Sequence, residues 1–278
     1  MQTAKPTTIH EYVSWVRTEH GVTEKTRRLQ NHFESVAARL KLSFELSAFW
    51  VQLKNNLRNF HEEYLLRTGY DLLQTFDAPL ILTKPFNSFL LKTFRYNVLE
   101  NGRWPDPPID GWVLPHGWYS RIHDIVRTSL VVKYLDGVEF IISKLKTLSQ
   151  ENALHCEVSF EAREEGYYSA HFNVQQEVEI PRFDWDTERI QARFEIQVTT
   201  QLQAIIRRLL HKYYGERRAR LRPDQGASKW QWDYKSDEFV TNYLGHILHY
   251  VEGMIMEVRG RQAKASASIL ATHDRREE

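Results

Sequence analysis

A change in hydrophobic spacing near residue 200 predicts a strand followed by a helix. Apolar and polar residues first alternate, with Ala192, Phe194, Ile196 and Val198 on one side and Arg193, Glu195, Gln197 and Thr199 on the other. That period of two is typical of a half-buried strand with one polar face. A helical stripe follows, which consists of Leu202, Ile205, Ile206, Leu209, Leu210 and Tyr213, and Thr200 is the expected cap between the two elements. Glu195 is therefore expected on a polar face close to a turn, where a carboxylate either stays solvated, holds a metal ion or accepts a proton.

Helical spacing dominates the first 67 residues and the segment 84–97. Three helices are expected between residues 8 and 67, and Gly69 is the expected end of the third. Another helix is expected in 84–97, entered through Pro85 directly after Lys84. One face of this helix carries Ser88, Lys92 and Arg95. Such a face either grips phosphate groups or is an ordinary solvated surface.

Three further strands are predicted downstream. The run 123–135 is nearly continuously apolar, which indicates a central buried strand with Asp124 at its start. Asp136 and Gly137 predict a turn before a helix at 138–148, and a strand is expected near 155–160. In 166–174, one face of an alternating strand carries Tyr167, Ser169, His171 and Asn173. These side chains suit stacking on a nucleoside and hydrogen bonding to it, or form an ordinary wet sheet face.

Composition and charge narrow the class of protein. The chain has 278 residues, a length that suits one domain or one and a half. Hydrophobic residues make up 42% of it, enough for a sizeable core. Its formal net charge is +1, so an acidic partner would have to be met by a local patch. A single cysteine, Cys156, excludes an intrachain disulfide and favours a reducing, cytoplasmic setting. The first residues lack a secretory apolar region, and no apolar run is long enough for a membrane span.

The C-terminal quarter contains a basic block and a long helix. Seven cations and one acid lie between residues 207 and 222, a composition that marks a phosphate or nucleic-acid surface, or a solvated one. A helix is expected over 237–259, and its buried stripe would be Phe239, Tyr243, Ile247, Tyr250, Val251, Met254 and Val258. His246 and His249 lie in it without ligand partners at suitable spacing, so they are interpreted as packing residues.

Four motifs in order resemble the synthetase domain of the RelA/SpoT family. They are the Lys84-x-x-x-Ser88-x-x-x-Lys92-x-x-Arg95 helix, Asp124 at a strand start, Gly166-Tyr167-x-Ser169-x-His171, and Glu195-Ile196-Gln197-Val198-x-Thr200 before a helix. The resemblance covers about residues 40–215. It implies an α+β fold with a nucleotidyltransferase-like mixed β-sheet flanked by helices, with N-terminal and C-terminal helical additions. The expected organisation is helices over 1–70, a synthetase core over 71–215, and a basic loop, helix and disordered tail over 216–278.

The resemblance also implies a reaction and roles for the motif residues. The family transfers pyrophosphate from ATP to a ribose 3′-hydroxyl, and its alarmone synthetases use GDP or GTP and make (p)ppGpp. Asp124 would hold Mg²⁺ on the ATP phosphates, and Glu195 would share that ion or act as the base towards the acceptor hydroxyl. Tyr167 would stack on the acceptor base, and His171 would contact its phosphate or ribose. Further substrate contacts are expected from Ser169, Arg163, Gln197, Lys84, Ser88, Lys92, Arg95 and Arg127.

The chain departs from the family pattern on the ATP side. The two positions that usually carry adenine-clamping arginines hold Leu82 and Ser129. Arg127 is a candidate substitute, although we expect it to be out of phase with position 129 on the strand. The Lys-x-Asn that usually precedes the Gly-Tyr pair is Arg163-Glu164-Glu165, and Thr199 stands where the last motif usually has arginine.

Three functions are compatible with these motifs. The first is an alarmone synthetase that acts on free GDP or GTP. The second is a toxin of the same family that modifies the 3′ end of tRNA, with tRNA contacts from Arg207, Arg208, Arg217, Arg218 and Arg220 and an antitoxin protein as a further partner. The third is a catalytically weak nucleotide sensor, which the missing adenine clamp favours. The acceptor and the oligomeric state are left open by the sequence.

Overall fold

A computed structural model describes residues 4–183, 186–209 and 230–277. Their first helices are α1 (Ile9–His20), α2 (Thr26–Glu45) and α3 (Ala48–Thr68). A capping box at Thr8 starts α1, the Ser47 hydroxyl accepts the Trp50 amide at the start of α3, and Gly69 ends α3 at φ 76°. The three N-terminal helices predicted from the spacing are thus confirmed.

The remaining elements alternate between short helices and the strands of one sheet. Helix α4 (Phe86–Phe94) begins after Pro85 and continues as a π-helical turn, Arg95–Leu99. Then follow a 3₁₀ turn (Pro115–Gly117), α5 (Trp118–Arg121), α6 (Leu135–Glu151), α7, a 3₁₀ turn (Trp230–Trp232) and α8 (Asp237–Glu277). The described part of α7 covers residues 201–209. The strands are β1 (Leu82–Thr83), β2 (Val126–Val132), β3 (Cys156–Ala162), β4 (Tyr168–Pro181) and β5 (Thr187–Thr200).

The described strands form a mixed sheet in the order β1-β2-β5-β4-β3. Strands β2 and β5 run parallel, whereas the other neighbouring pairs are antiparallel. The central position belongs to β5, and β2 lies next to the two-residue strand β1. The predicted α+β class, a mixed sheet flanked by helices with helical additions at both ends, is therefore confirmed.

One face of the sheet packs against the N-terminal helices. The Phe44 ring of α2 stacks on Phe194 of β5 at 4.6 Å between centroids, and Phe49 of α3 lies parallel to Phe172 of β4 at 6.3 Å. Because side chains alternate along a strand, this packing leaves the opposite face to residues of the other parity. That opposite face carries the polar residues that the alternation predicted.

The proline- and tryptophan-rich loop 101–114 is packed against the first helix. The rings of Trp104 and Trp112 each lie 5.0 Å from that of Trp15. Nδ2 of Asn97 donates to the Val113 carbonyl, and Oδ1 of Asn97 accepts from the Val113 amide, so both backbone polar groups of Val113 are hydrogen-bonded. The loop is therefore a fixed part of the fold.

Several local predictions are wrong. Asp136 and Gly137 lie in the first turn of α6, because α6 begins at Leu135 and Asp136 there meets Tyr64 and Arg259. On α7, Ile206 is buried but Ile205 and Leu209 are exposed, and Leu210 and Tyr213 lie outside the described residues.

The predicted buried stripe of α8 is also wrong. Its members Tyr243, Ile247, Tyr250, Val251, Met254 and Val258 are exposed, and the buried residues of this helix include Asn242, Glu252 and Arg259. The packing role predicted for His246 and His249 is confirmed, because both rings contact Tyr168. The helix therefore docks through the face that its hydrophobicity does not indicate.

Candidate active site

Strand register brings the predicted polar residues together on one face of the sheet. Arg127 of β2 is the partner of Glu195 on β5, and Ser129 is the partner of Gln197. On the other side of β5, His171 of β4 is also the partner of Gln197. We call these five residues, on three adjacent strands, the polar face.

Glu195 is almost completely enclosed on this face. Only 8% of the residue is exposed, so the solvated alternative is wrong. Its Oε1 lies 2.5 Å from Nδ1 of His171, and its Oε2 accepts from Nε2 of Gln197 at 3.0 Å. A carboxylate oxygen has two lone pairs, so each oxygen keeps one free for an incoming hydroxyl or cation.

The hydrogen bonds continue from His171 to the loop before β4. Because the carboxylate of Glu195 only accepts, Nδ1 of His171 is the donor in that contact. The other ring nitrogen of His171, Nε2, lies 3.1 Å from the Tyr167 hydroxyl oxygen. The guanidinium of Arg163 lies over the Tyr167 ring at 5.2 Å and pairs with Glu161. Tyr167 is thereby fixed with one ring face against a cation.

The hydrogen bonds from Tyr167 through His171 and Glu195 to Gln197 form one line across the sheet. At the Gln197 end, this line is continued by a cation from α7. Nη1 of Arg207 donates to Oε1 of Gln197 at 2.6 Å, and its Nη2 donates to the Ser129 hydroxyl at 3.2 Å. The guanidinium therefore lies beside position 129, where the family pattern has an arginine and this chain has serine. In the sequence, Arg207 belongs to the basic block 207–222. No spacing in the sequence indicates that α7 places Arg207 over the polar face.

Asp124 lies two residues before β2, between two lysines. Nζ of Lys84 is 2.6 Å from its Oδ2, and Nζ of Lys92 is 2.9 Å from its Oδ1. Burial would raise the pKa of this carboxyl, but the two ammonium groups outweigh burial and hold its pKa below the ordinary value. Burial lowers the pKa of Lys84, against the attraction of Asp124. The cluster therefore contains an ionised carboxylate with two cations beside it.

The other predicted ATP-side residues are placed differently. Arg127 lies two residues from Ser129 and shares its face, so the expectation that it is out of phase is wrong. Ser88 is exposed on α4. Arg95 lies after the end of α4, in the π-helical turn, and its guanidinium pairs with Glu100. Ser169 is buried and donates to the Val198 carbonyl at 3.2 Å, so its hydroxyl is used inside the sheet.

The C-terminal helix supports the loop that carries Tyr167. Gly245 of α8 crosses Gly166 so closely that a Cβ on either residue would overlap the backbone of the other helix or loop. The His249 ring stacks on Tyr168 at 3.7 Å, and the Tyr168 hydroxyl meets Nδ1 of His246 at 2.8 Å. Tyr168 therefore faces α8, and Tyr167 faces the polar residues.

The predicted tRNA contacts are only partly described. Arg208 is exposed, and Arg217, Arg218 and Arg220 lie outside the described residues. The described part of the chain contains no group of three or more histidine, cysteine or acidic side chains that could hold a metal ion. Its helices include none with the length and apolar character that crossing a membrane requires.

Comparison with known proteins finds similarity among solved structures. No family model matches the chain, and no curated protein matches it. Small alarmone synthetase 2 from Bacillus subtilis is 16% identical, with a TM-score of 0.49, over 80% of this chain and 97% of that one. Small alarmone synthetase 1 from the same organism, bound to its product pppGpp, is 15% identical with a TM-score of 0.48, over 76% and 91%.

A further similar structure is a GTP pyrophosphokinase family protein from Streptococcus pneumoniae. It is 15% identical with a TM-score of 0.47, over 86% of this chain and 95% of that one. These structures are described by names of the same family that the motifs resemble.

Proposed function

We propose that the chain transfers the pyrophosphoryl group of ATP to the ribose 3′-hydroxyl of GDP or GTP. The observation that carries the proposal is the enclosed Glu195 carboxylate, oriented by His171 and Gln197 on β5, the strand paired with β2. The Asp124–Lys84–Lys92 cluster lies just before β2. A secondary hydroxyl needs a base, and a pyrophosphoryl group needs cations around it. The site supplies both kinds of group.

The reaction needs one bond to form and one to break. The acceptor 3′-oxygen bonds to the β-phosphorus of ATP, the bond from that phosphorus to the oxygen of the α-phosphate breaks, and AMP leaves. The hydroxyl proton passes to Glu195. His171 and Gln197 hold that carboxylate in place, so it meets the acceptor without reorganisation.

Asp124 and Glu195 are the residues that would hold Mg²⁺. Carboxylate oxygens are the ligands that this ion prefers, and it commonly binds one or two of them together with substrate phosphates and water. Both oxygens of Asp124 accept from lysines, and these ammonium groups can transfer to phosphate when a cation takes their place. The ion supplies charge neutralisation on the transferred group. Asp124 lies in the turn before β2, three residues before Arg127, the strand partner of Glu195, so sharing one ion requires the two side chains to reach toward each other.

The acceptor and the adenine would lie at opposite ends of the hydrogen-bonded line. Arg163 covers one face of the Tyr167 ring, which leaves the other face for an acceptor base. Arg207 beside Ser129 supplies a planar guanidinium on the ATP side, in place of the clamp that the family pattern has at position 129.

The test is a mass-spectrometric assay of ATP and Mg²⁺ with GDP, GTP or tRNA, using wild type and Glu195→Gln. We expect AMP together with GDP or GTP that has gained two phosphates, and neither product with Glu195→Gln. Two phosphates on the tRNA 3′ end alone would assign the toxin activity. Absence of AMP with all three acceptors would overturn the proposal in favour of a nucleotide sensor.

A further inference from the structure

The long helix α8 has two faces of inverted character. The face against the rest of the chain is polar: Glu252 accepts from the Thr200 hydroxyl, and Arg259 pairs with Asp136 at 3.1 Å. Asn242 on the same face is fully buried. These contacts fix how the helix is rotated on the domain.

The opposite face of α8 is apolar and exposed. Nine apolar residues of this face are each between 36% and 71% exposed: Val240, Tyr243, Leu244, Ile247, Tyr250, Val251, Met254, Ile255 and Val258. We call these nine residues the α8 seam. An ordinary surface helix buries its apolar stripe and exposes its polar side. Single exposed apolar residues are common on protein surfaces and need no partner. A continuous row over five turns indicates a covered surface.

The spacing of the seam is that of a coiled coil. Val240, Ile247 and Met254 follow one another at intervals of seven, and so do Leu244, Val251 and Val258. The two series are offset by four and then three residues, which is the a/d pattern of a heptad repeat. The buried residues Asn242, Gly245, Glu252 and Arg259 occupy b and f positions, on the far side of the helix. The docked helix therefore presents its a/d row outward.

We propose that the α8 seam pairs with the α8 seam of a second copy of this chain. A coiled-coil partner needs apolar residues at the same 3.5-residue interval, and the helix itself supplies that pattern. The row contains no charged residue, so two copies meet without repulsion or an unpaired buried charge. At ordinary side-chain areas the exposed fractions amount to about 800 Å², which is what each partner contributes to a standard stable interface.

The test is the mass of the full chain in solution, measured by light scattering after size exclusion and by sedimentation. We expect wild type to have twice the mass of one chain, and Ile247→Glu/Val251→Glu to have the mass of one. The matched control is Leu66→Glu, an apolar-to-acidic change at an 89% exposed position of α3, which should keep the doubled mass. Far-ultraviolet circular dichroism should be the same for all three proteins.

Ile247→Ser/Val251→Ser provides a second disruption without added charge, in case the acidic variant fails to fold. Wild type with the mass of one chain at the highest attainable concentration would overturn the proposal. A doubled mass in both seam variants would overturn it too, because the copies would then meet through another surface. None of these outcomes depends on catalysis, so the proposed reaction and this interface fail or stand separately.

Discussion

At the scale of single residues, the arrangement around Asp124 gives the site a defined response to pH. Asp124→Asn should lower the free energy of unfolding at pH 7 by about 2 kcal/mol, because it leaves the enclosed Lys84 without its counter-charge. The pKa of Asp124 is lowered in the folded chain from an ordinary value of 3.8. A lowered carboxyl pKa stabilises the fold above the unfolded value, and the contribution is lost as pH falls through the folded value.

The measurement is urea unfolding of wild type and Asp124→Asn between pH 7 and pH 3. We expect the difference between the two proteins to be constant down to pH 4 and to shrink below it. Asp77→Asn, which changes an exposed carboxylate, is the control and should match wild type throughout. A difference that stays unchanged at pH 3 would show that the carboxylate charge is not what stabilises the cluster.

Arg207 was predicted only as a tRNA contact, but its guanidinium binds Gln197 and Ser129 on the polar face. Under the proposed reaction, Arg207→Ala should raise the KM for ATP roughly tenfold, because a charge-assisted contact is worth on the order of 1–2 kcal/mol. Its neighbour Arg208 is exposed, so Arg208→Ala is a matched control and should leave the KM within about a factor of two. Steady-state kinetics with varied ATP measures both, and equal effects of the two changes would exclude a specific role for Arg207.

At the scale of elements, the crossing of α8 over the loop before β4 leaves no room for a side chain. Gly245→Ala should destabilise the fold by about 1–3 kcal/mol, because its Cβ would overlap the Gly166 carbonyl. Gly253→Ala is the control in the same helix, since a Cβ there meets nothing, and it should stabilise by about 0.5–1 kcal/mol through helix propensity. Thermal unfolding of both variants tests the contact. Equal stability of the two variants would mean that α8 can shift away from Gly166 at little cost.

Elements with one strong pattern could be predicted from the sequence, and their docking could not. The alternation around Glu195 correctly placed Glu195 and Gln197 on a polar face, and Gly69 correctly ended α3. The helical period of α8 was also right, but the rule that the apolar face is buried chose the wrong side. The side that docks is decided by partners far away in sequence, such as Thr200 and Asp136, which local spacing does not report.

At the scale of the whole molecule, charge bears on the choice of acceptor. The formal net charge is +1, so general attraction to a polyanion is weak. Among the cations of the predicted nucleic-acid block, Arg207 is engaged with Gln197 and Ser129. A line of side chains ending at Tyr167 needs only one base to stack. Under the proposed reaction, we therefore expect a free nucleotide rather than tRNA as the acceptor.

The acceptor can be decided by salt and by neutralising the basic block. If tRNA is the substrate, each phosphate contact releases counterions, and log affinity should fall against log salt with a slope of about −0.7 to −0.9 per contact. Changing Arg217, Arg218 and Arg220 to Gln would then reduce tRNA modification strongly. We expect the opposite result: modification of GDP that changes little with salt or with this triple substitution, because a free nucleotide makes few such contacts.

The control is a triple Gln variant at Lys25, Arg27 and Arg67, which are exposed cations of the N-terminal helices and remove the same charge. Parallel assays with GDP and tRNA under identical conditions separate a local patch from general electrostatics. Label from ATP that appears in tRNA and not in GDP or GTP, and that is lost only when Arg217, Arg218 and Arg220 are changed, would reverse the assignment. In that case the basic block would be the specificity surface, and Tyr167 would receive the terminal base of the tRNA.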